Sequence, residues 1–593
     1  MFSNLRPWVV LAVAALPIGA QLTSSLCPNV TLSATDFEAT ELFNRKGDNG
    51  ATKDADLTEP VHFDVRVVNN ASGKYDHSDI IYVERTGNLK YYDGAAKTVK
   101  IIGTISVHAT PSSQDDNGLM GVVFDPNYET NRWIYLWYSP KQTYQRDNVT
   151  TGGQNRQLRL SRFTLKSDNT LDMASEKSLI KILGSKTDTW HSGGPMQFDA
   201  YGDLWIAIGN NSLDLDPTAC NTGGSVLSQT DSSSSAEWGS SNTHSMRGGF
   251  IRIHPDDAAP KGYTIPNGNF GQYWADQFDK QGNATLAAQY RDTSKVLPEV
   301  YVKGERSNFS CAVHPTKRWL AWGTVNYNSA SDEYNITDHP IFSGFPYFMA
   351  DNQPTCTHGK SADAPTNNSK FNSGVVDLPP AIGGTLNYST TKENVAIGGP
   401  VYSFDPSLDY DYKFPPQFDN HWFVGSFASS HYYVITVDAS GSTLKASGSM
   451  LKLDQTGLLK NASFRNYLQS TFGKDGALYI LNYDGQTYGA PSDPGVIRVI
   501  YKGSCHVAVS TRKAVAPYQS IWISPLGITI KEAGPHVVSL YDLSGHRVWN
   551  DQNMGPKVYR ISAIRAQASL RPGLYMARVN TPAGEVSQRI SVF

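Results

Sequence analysis

Past its first twenty residues this chain has no apolar run of the roughly 20 residues that a membrane-crossing helix needs. It also lacks any sustained 3.6-residue periodicity, which argues against an α/β core. Charge is sparse. Charged residues make up 18% and the formal net charge is -3, so no excess of either sign points to nucleic acid or to an anionic membrane. Cysteine is scarce as well, at five residues, with no CxxC and no Cys/His spacing of a zinc site. What the chain has in quantity is aromatics (31 Tyr, 23 Phe, 12 Trp) and turn formers (50 Gly, 32 Pro). That mixture suits many short strands joined by tight turns.

At 593 residues, two or three domains are expected. Arg6, the apolar stretch from Trp8 to Ile18 and the small pair Gly19-Ala20 predict a signal peptide over 1–20, cut before Gln21. Ser25-Leu26-Cys27 is a poor lipoprotein signal, because a bulky Leu precedes the Cys. The mature chain is expected outside the cytoplasm, secreted or at the cell surface, without a transmembrane segment. In an oxidising compartment, Cys27, Cys220, Cys311, Cys356 and Cys505 allow one or two disulfides, and the odd cysteine is left over or pairs between chains. Ten Asn-x-Ser/Thr sequons mark surface loops more than they mark glycosylation.

From Val61 to Lys502 one unit keeps returning: an apolar strand, a turn with Gly or Asp, and an aromatic strand. Ile80–Val83 with Leu89–Tyr92 is the first case, and Gly121–Pro126 with Trp133–Tyr138 the second. Cys311–Pro315 with Trp319–Trp322, Val401–Pro406 with Trp422–Val424, and Ser470–Gly473 with Ala477–Leu481 follow. A recurring hairpin with variable insertions predicts a β-propeller whose loops build one face. The Ser-, Asn- and Thr-rich stretches from Asp214 to Thr243 and from Asp351 to Lys370 read as loops. Near Arg512 the texture changes. Val537–Leu543, His546–Trp549, Leu570–Val579 and Gln588–Val592 predict a small C-terminal β-sandwich.

The stretch Thr189–Asn211 stands out within this series. A polar corner, Trp190-His191-Ser192-Gly193-Gly194, runs into a strand at Met196–Phe198, then a turn at Ala200–Asp203 and a second strand, Leu204–Ile208. An imidazole at a strand mouth beside two glycines is a candidate general base; capping of the turn is the structural alternative. Trp133, Trp137, Trp205 and Trp422 lie inside strand patterns and read as core. Arg247 and Arg252 read as solvent-facing or as ties between blades. Tyr347 and Asp351 are candidates to line the mouth, and Gly248 and Gly249 let a strand bend.

Several phrases together resemble the glucose/sorbosone dehydrogenase family of soluble sugar dehydrogenases. They are Val83–Leu89, Gly118–Tyr128, Asn131–Ser139, Leu160–Leu165, His191–Gly194, Met246–Ile253, Gly262–Pro266 and Gly399–Tyr402, in family order. The resemblance implies an all-β chain in which a six-bladed β-propeller is followed by the small C-terminal β-sandwich. It divides as a signal peptide (1–20), an N-terminal extension (21–60), the propeller (61–505), a linker (506–518) and the sandwich (519–593). The last module resembles a type IX secretion sorting domain, through Tyr541–Arg547 and Pro572–Val579, which would make the secretion machinery a partner.

The family uses pyrroloquinoline quinone (PQQ) and Ca²⁺, oxidises a small sugar and passes electrons to an external acceptor. The resemblance implies His191 as general base, Arg306 with Ser307 and Asn308 at the cofactor, and Gly323, Asp332 and Glu333 at the metal. Arg306 could instead pair with Glu305 or Asp332. This chain departs from the family pattern at several of these places. Ser307 follows Arg306 where relatives have Asn, and Gly323-Thr-Val-Asn-Tyr327 replaces the Gly-Asp-Val-Gly-Pro segment. Phe342–Pro346 replaces Asn-Tyr-Gly-Trp-Pro, Phe427–Ser430 offers no basic residue, and Asn210 follows Gly209 where an Asp is usual. The implied function is sugar oxidation with hydride transfer to PQQ; the alternative is a catalytically degenerate propeller that binds carbohydrate or a protein.

Overall fold

The structure is a computed structural model. It describes residues 21–109, 116–141, 157–184, 190–211, 236–326, 332–354, 376–387, 391–441, 443–486, 489, 491–505, 521–524, 527–531, 534–542, 546–581 and 584–592. The expected signal peptide, the linker, Cys220 and Cys356 lie outside the described residues. The chain divides into two compact units, Met1–Val507 and Ala508–Phe593. Among the described residues no helix is long and apolar enough to cross a membrane.

The first unit is built of antiparallel sheets that follow one another along the chain. The first sheet comprises Pro60–Asn69, Tyr75–Glu84, Asn88–Asp93 and Thr98–Thr104; the second comprises Leu119–Phe124, Trp133–Tyr138, Gln157–Leu165 and Leu171–Leu183. The third runs Met196–Phe198, Leu204–Ile208, Gly249–Pro255 and Val300–Lys303. In the fourth, a broken leading strand (Ser307–Asn308, Ala312–Val313) pairs with Leu320–Val325, followed by Glu333–Thr337 and Leu386–Asn387. The fifth comprises Ala396–Val401, His421–Ser426, Tyr432–Asp438 and Lys445–Lys452. Tyr467–Phe472, Leu478–Asn482, Gly495–Tyr501, Phe37–Asn44 and the short Thr52–Lys53 make the sixth. Helices Phe270–Lys280 and Ala284–Arg291 are inserted in the third sheet and bury Phe270, Phe278 and Tyr290 between them.

Each leading strand packs on the next sheet, and Tyr467–Phe472 returns to Pro60–Asn69, so the series closes on itself in a propeller-like ring. Polar side chains tie neighbouring leading strands. Gln469 exchanges two hydrogen bonds with the Phe63 backbone (2.9 and 3.0 Å), and Gln197 Oε1 accepts from Val313 N at 2.7 Å. Strands such as Ile80–Val83 are buried on both faces, which is why they read as unbroken apolar runs rather than alternating ones. Trp137, Trp205 and Trp422 are fully buried as expected, whereas Trp133 is half-buried with the Arg162 guanidinium 3.6 Å from its ring centre. Arg252 is not solvent-facing. It is buried, donates from Nε to Asn269 Oδ1 (2.8 Å) and lies over the Trp205 ring; Arg247 is buried too.

Residues 21–60, expected as an extension, supply the strand that completes the sixth sheet. Phe37–Asn44 runs antiparallel to Gly495–Tyr501, and a disulfide joins Cys27 to Cys505, leaving Cys311 as a free thiol among the described residues. Tyr347, a candidate for the mouth, is buried against Phe342, Phe348 and Leu378, while Asp351 is exposed.

His62 sits where the first three leading strands meet: Nδ1 faces Val122 O at 3.1 Å and Nε2 accepts from Met196 N at 3.4 Å. Burial pushes its pKa down to about 4, and burial with Lys317 nearby pushes His314 down to about 3. The unfolded chain therefore binds these protons first. Their contribution to stability is full above pH 6.5 and is lost as pH drops toward 4, on the order of 3 kcal/mol for His62 alone. Urea melts across pH 4–8 check this as a difference: the parent should lose stability relative to His62→Gln as pH falls.

In the second unit, one sheet comprises Arg547–Met554, Pro535–Tyr541, Gly573–Thr581 and Gly584–Val592. The other has Ile521–Ile523, Gly527–Ile530 and Lys557–Arg560. They share a core of Ile528, Val538, Leu540, Ala577, Val579 and Ile590. A helix not expected from the sequence, Ile561–Ala568, adds Ile561 and Ile564 to it.

Candidate active site

In an antiparallel sheet the start of the first strand and the end of the second share one edge. On the third sheet that edge carries His191, ahead of Met196–Phe198, and Asn210, just past Leu204–Ile208. His191 has φ +56°, a left-handed conformation uncommon for a side chain of this size. Three contacts hold it there. Its N–H donates to Asp116 Oδ1, its carbonyl accepts from Asn211 N (3.1 Å), and Gly209 passes so close that a Cβ would stand 2.3 Å from His191 O. Trp137 Nε1 fixes the next residue by donating to Ser192 O (3.1 Å).

The ring is oriented by Asn210, whose Oδ1 lies 2.9 Å from His191 Nδ1. An amide oxygen only accepts, so Nδ1 carries the proton and Nε2 is the basic nitrogen. The Asn210 backbone N–H donates to Arg306 O at 2.8 Å. One residue thus joins the two strongest sequence candidates, His191 and Arg306, at one edge. Replacing Asn210 by Asp puts a carboxylate on Nδ1–H and favours the imidazolium. The titration midpoint of His191, read by NMR, is expected to rise by about 1 unit or more.

Arg306 donates from Nη1 to Val325 O (2.9 Å). Its charge acts on Asp332, whose pKa burial nevertheless pushes up to about 7. Glu305 turns the other way, is fully buried and accepts from Ser343 Oγ (2.5 Å) and Thr324 Oγ1. Burial pushes it up to about 7 also. Ser307 and Asn308 form the short strand against Val325 and Thr324; Asn308 Nδ2 donates to Gly249 O (2.9 Å), and its buried Oδ1 has no partner among the described residues. That orphaned acceptor, in the segment expected to meet a cofactor, fits a bound group carrying a hydrogen-bond donor.

Among the expected calcium ligands, Asp332 fits an ion poorly. Both Asp332 oxygens already accept backbone N–H groups, from Asn326 (2.7 Å) and Val395 (2.6 Å). Glu333 accepts from Asn335 Nδ2 on Oε1 (3.4 Å), its buried Oε2 has no hydrogen-bond partner among the described residues, and burial, with the Glu305 carboxylate adding to it, drives its pKa well up. Gly323 backs onto the fifth sheet, where a Cβ would stand 2.2 Å from Ala396 O. Among the described residues no three His, Cys, Asp or Glu side chains gather as a metal group. Asp116 and Asn210 are the residues that sequence reasoning missed as site members. Asn210 was visible only as a departure from the family pattern, and Asp116, 75 positions from His191, carries no signal linking it to that corner.

Residues 73–265 match the family described as Glucose / Sorbosone dehydrogenase, which bears out over those residues the resemblance read from the sequence. The chain is also similar to human Hedgehog-interacting protein, 26% identical over 104 residues, which is 17% of this chain and 14% of that protein's length. Among solved structures, the soluble aldose sugar dehydrogenase of Escherichia coli aligns at 16% identity over 78% of this chain and 99% of its own, with a TM-score of 0.44. The PQQ-bound aldose sugar dehydrogenase of Streptomyces coelicolor aligns at 14% identity over 74% and 99%, with a TM-score of 0.42.

Proposed function

We propose that the first unit is a six-bladed β-propeller that oxidises a hydroxyl of a small sugar, an aldose, with His191 as general base and PQQ as the electron-accepting group. The observation that carries this reading is the bond from Asn210 Oδ1 to His191 Nδ1, which makes Nε2 the proton acceptor at an edge shared with Arg306. When bound, the quinone accepts the hydride that leaves the sugar carbon. His191 Nε2 takes the hydroxyl proton as that carbon–hydrogen bond breaks, which needs a neutral imidazole near the operating pH. Asp116 and Asn210 hold the ring and its backbone so that no reorientation is needed at that moment. Arg306, Ser307 and Asn308 would hold the cofactor, with Arg306 as the fixed positive charge. Turnover would also need an external acceptor for the two electrons.

The chain is read as exported, with the second unit a β-sandwich that addresses it to secretion machinery. Dye-linked oxidation of an aldose panel by protein loaded with PQQ tests the catalytic part. A second reading, a propeller that binds carbohydrate or protein without redox chemistry, draws support from Arg306 Nη1 being spent on Val325 O. Retention on immobilised sugar without dye reduction would favour it.

A further inference from the structure

We infer that Asp332 serves this edge as a structural clasp and not as a calcium ligand, tying the fourth sheet to the fifth by hydrogen bonds where an ion would need open oxygens. The inference concerns the site of the proposed function but does not depend on turnover.

Asn326 leaves the end of Leu320–Val325, and Val395 stands just ahead of Ala396–Val401. Asp332 accepts the N–H of each, one on each carboxylate oxygen. The tie continues into the fifth sheet, because Phe427 N donates to Val395 O (3.1 Å). A second observation shows that the clasp carries strain. Val395 has φ +52°, a conformation that costs a β-branched residue on the order of 1–3 kcal/mol and persists only where its surroundings hold it. The N–H of that strained residue is the one held by Asp332 Oδ2.

The positive charge beside the carboxylate comes from Arg306, whose Nη1 donates to Val325 O, one residue before Asn326. A guanidinium and two backbone N–H groups therefore answer Asp332. Calcium asks for six to eight oxygen ligands. Here Gly323 packs against the backbone of Ala396 and Gly398, and Glu333 Oε2, buried and without a hydrogen-bond partner among the described residues, adds one oxygen, well short of that number.

The test uses the full chain, stripped with EDTA and then titrated with CaCl₂ by calorimetry and in thermal melts. The expected result is a melting temperature that calcium does not move, with Asp332→Asn melting about 1–3 °C lower, equally in EDTA and in calcium. The asparagine keeps one acceptor but sets its NH₂ against the other backbone N–H, which accounts for that drop. A calcium-dependent rise in melting temperature that Asp332→Asn removes would overturn the inference; a rise that survives the substitution puts calcium elsewhere and supports it. If Asp332→Asn does not fold, Asp332→Ser is read by the same titration, since its hydroxyl can still accept one N–H but offers calcium no carboxylate. Calcium binding that is lost in Asp332→Ser would contradict the clasp, and an isotherm unchanged from that of the parent would support it.

Discussion

His191→Ala is expected to lower kcat for sugar oxidation by a factor of about 10²–10⁴, the usual contribution of a positioned general base. KM should change little, because the lost group acts on the proton in flight more than on the bound sugar. The substitution also leaves the Asn210 amide oxygen without its partner and keeps a side chain at φ +56°, so some stability is lost in addition. A thermal melt beside the dye-linked rate separates the two effects. His191→Gln, which keeps polar atoms near Asn210 but provides no base, should recover the melt and not the rate. A His191→Ala enzyme with undiminished kcat would mean that another group takes the proton.

The largest effect on stability is expected from removing the Cys27–Cys505 disulfide. The sixth sheet has three strands from the end of the first unit and two, Phe37–Asn44 and the short Thr52–Lys53, from its beginning, so hydrogen bonds between Phe37–Asn44 and Gly495–Tyr501 close the ring. The disulfide fixes that closure across a sequence separation of 478. Cross-links over long loops remove the most unfolded-state entropy, and the double substitution Cys27→Ser/Cys505→Ser should cost about 4 kcal/mol. Native-state hydrogen exchange should show Phe37–Asn44 opening first in the variant. Unchanged protection of that strand and an unchanged urea midpoint would show that pairing alone closes the ring.

How much of this was legible in the sequence depended on how local the cause was. The hairpin around Ala200–Asp203 was readable because Gly202, at φ +79°, and the Asp199 and Asp203 backbone bonds make the turn within five residues. The strand Phe37–Asn44 was readable as neither partner nor closure, since its register with Gly495–Tyr501 joins the two ends of the unit. For Arg252 the solvent-facing reading fails, because it rests on a polar residue inside a strand normally lying on a wet face. In a ring of packed sheets both faces are covered, and the guanidinium is satisfied by Asn269 and Trp205 instead. The helix Ile561–Ala568 is two turns long, too short for its period to stand out beside the strands that flank it. At the site, His191 and Arg306 were legible through the family phrases, but the residues that hold them were not. Asn210 reaches His191 across their own hairpin and Asp116 from 75 positions away, just ahead of the second sheet, and neither contact is marked in the sequence. Asp332 was legible as an acidic residue at the right place, and its use was not, because a carboxylate gives no sign in sequence of whether it meets an ion or two backbone N–H groups.

The central claim is that this edge still runs sugar oxidation. The most direct measurement is titration of the purified chain with PQQ while following dye reduction over a panel of aldoses. Saturable, PQQ-dependent turnover of at least one aldose that His191→Ala abolishes is the predicted result. Neither PQQ binding nor turnover, in a protein whose melt shows it folded, would contradict it.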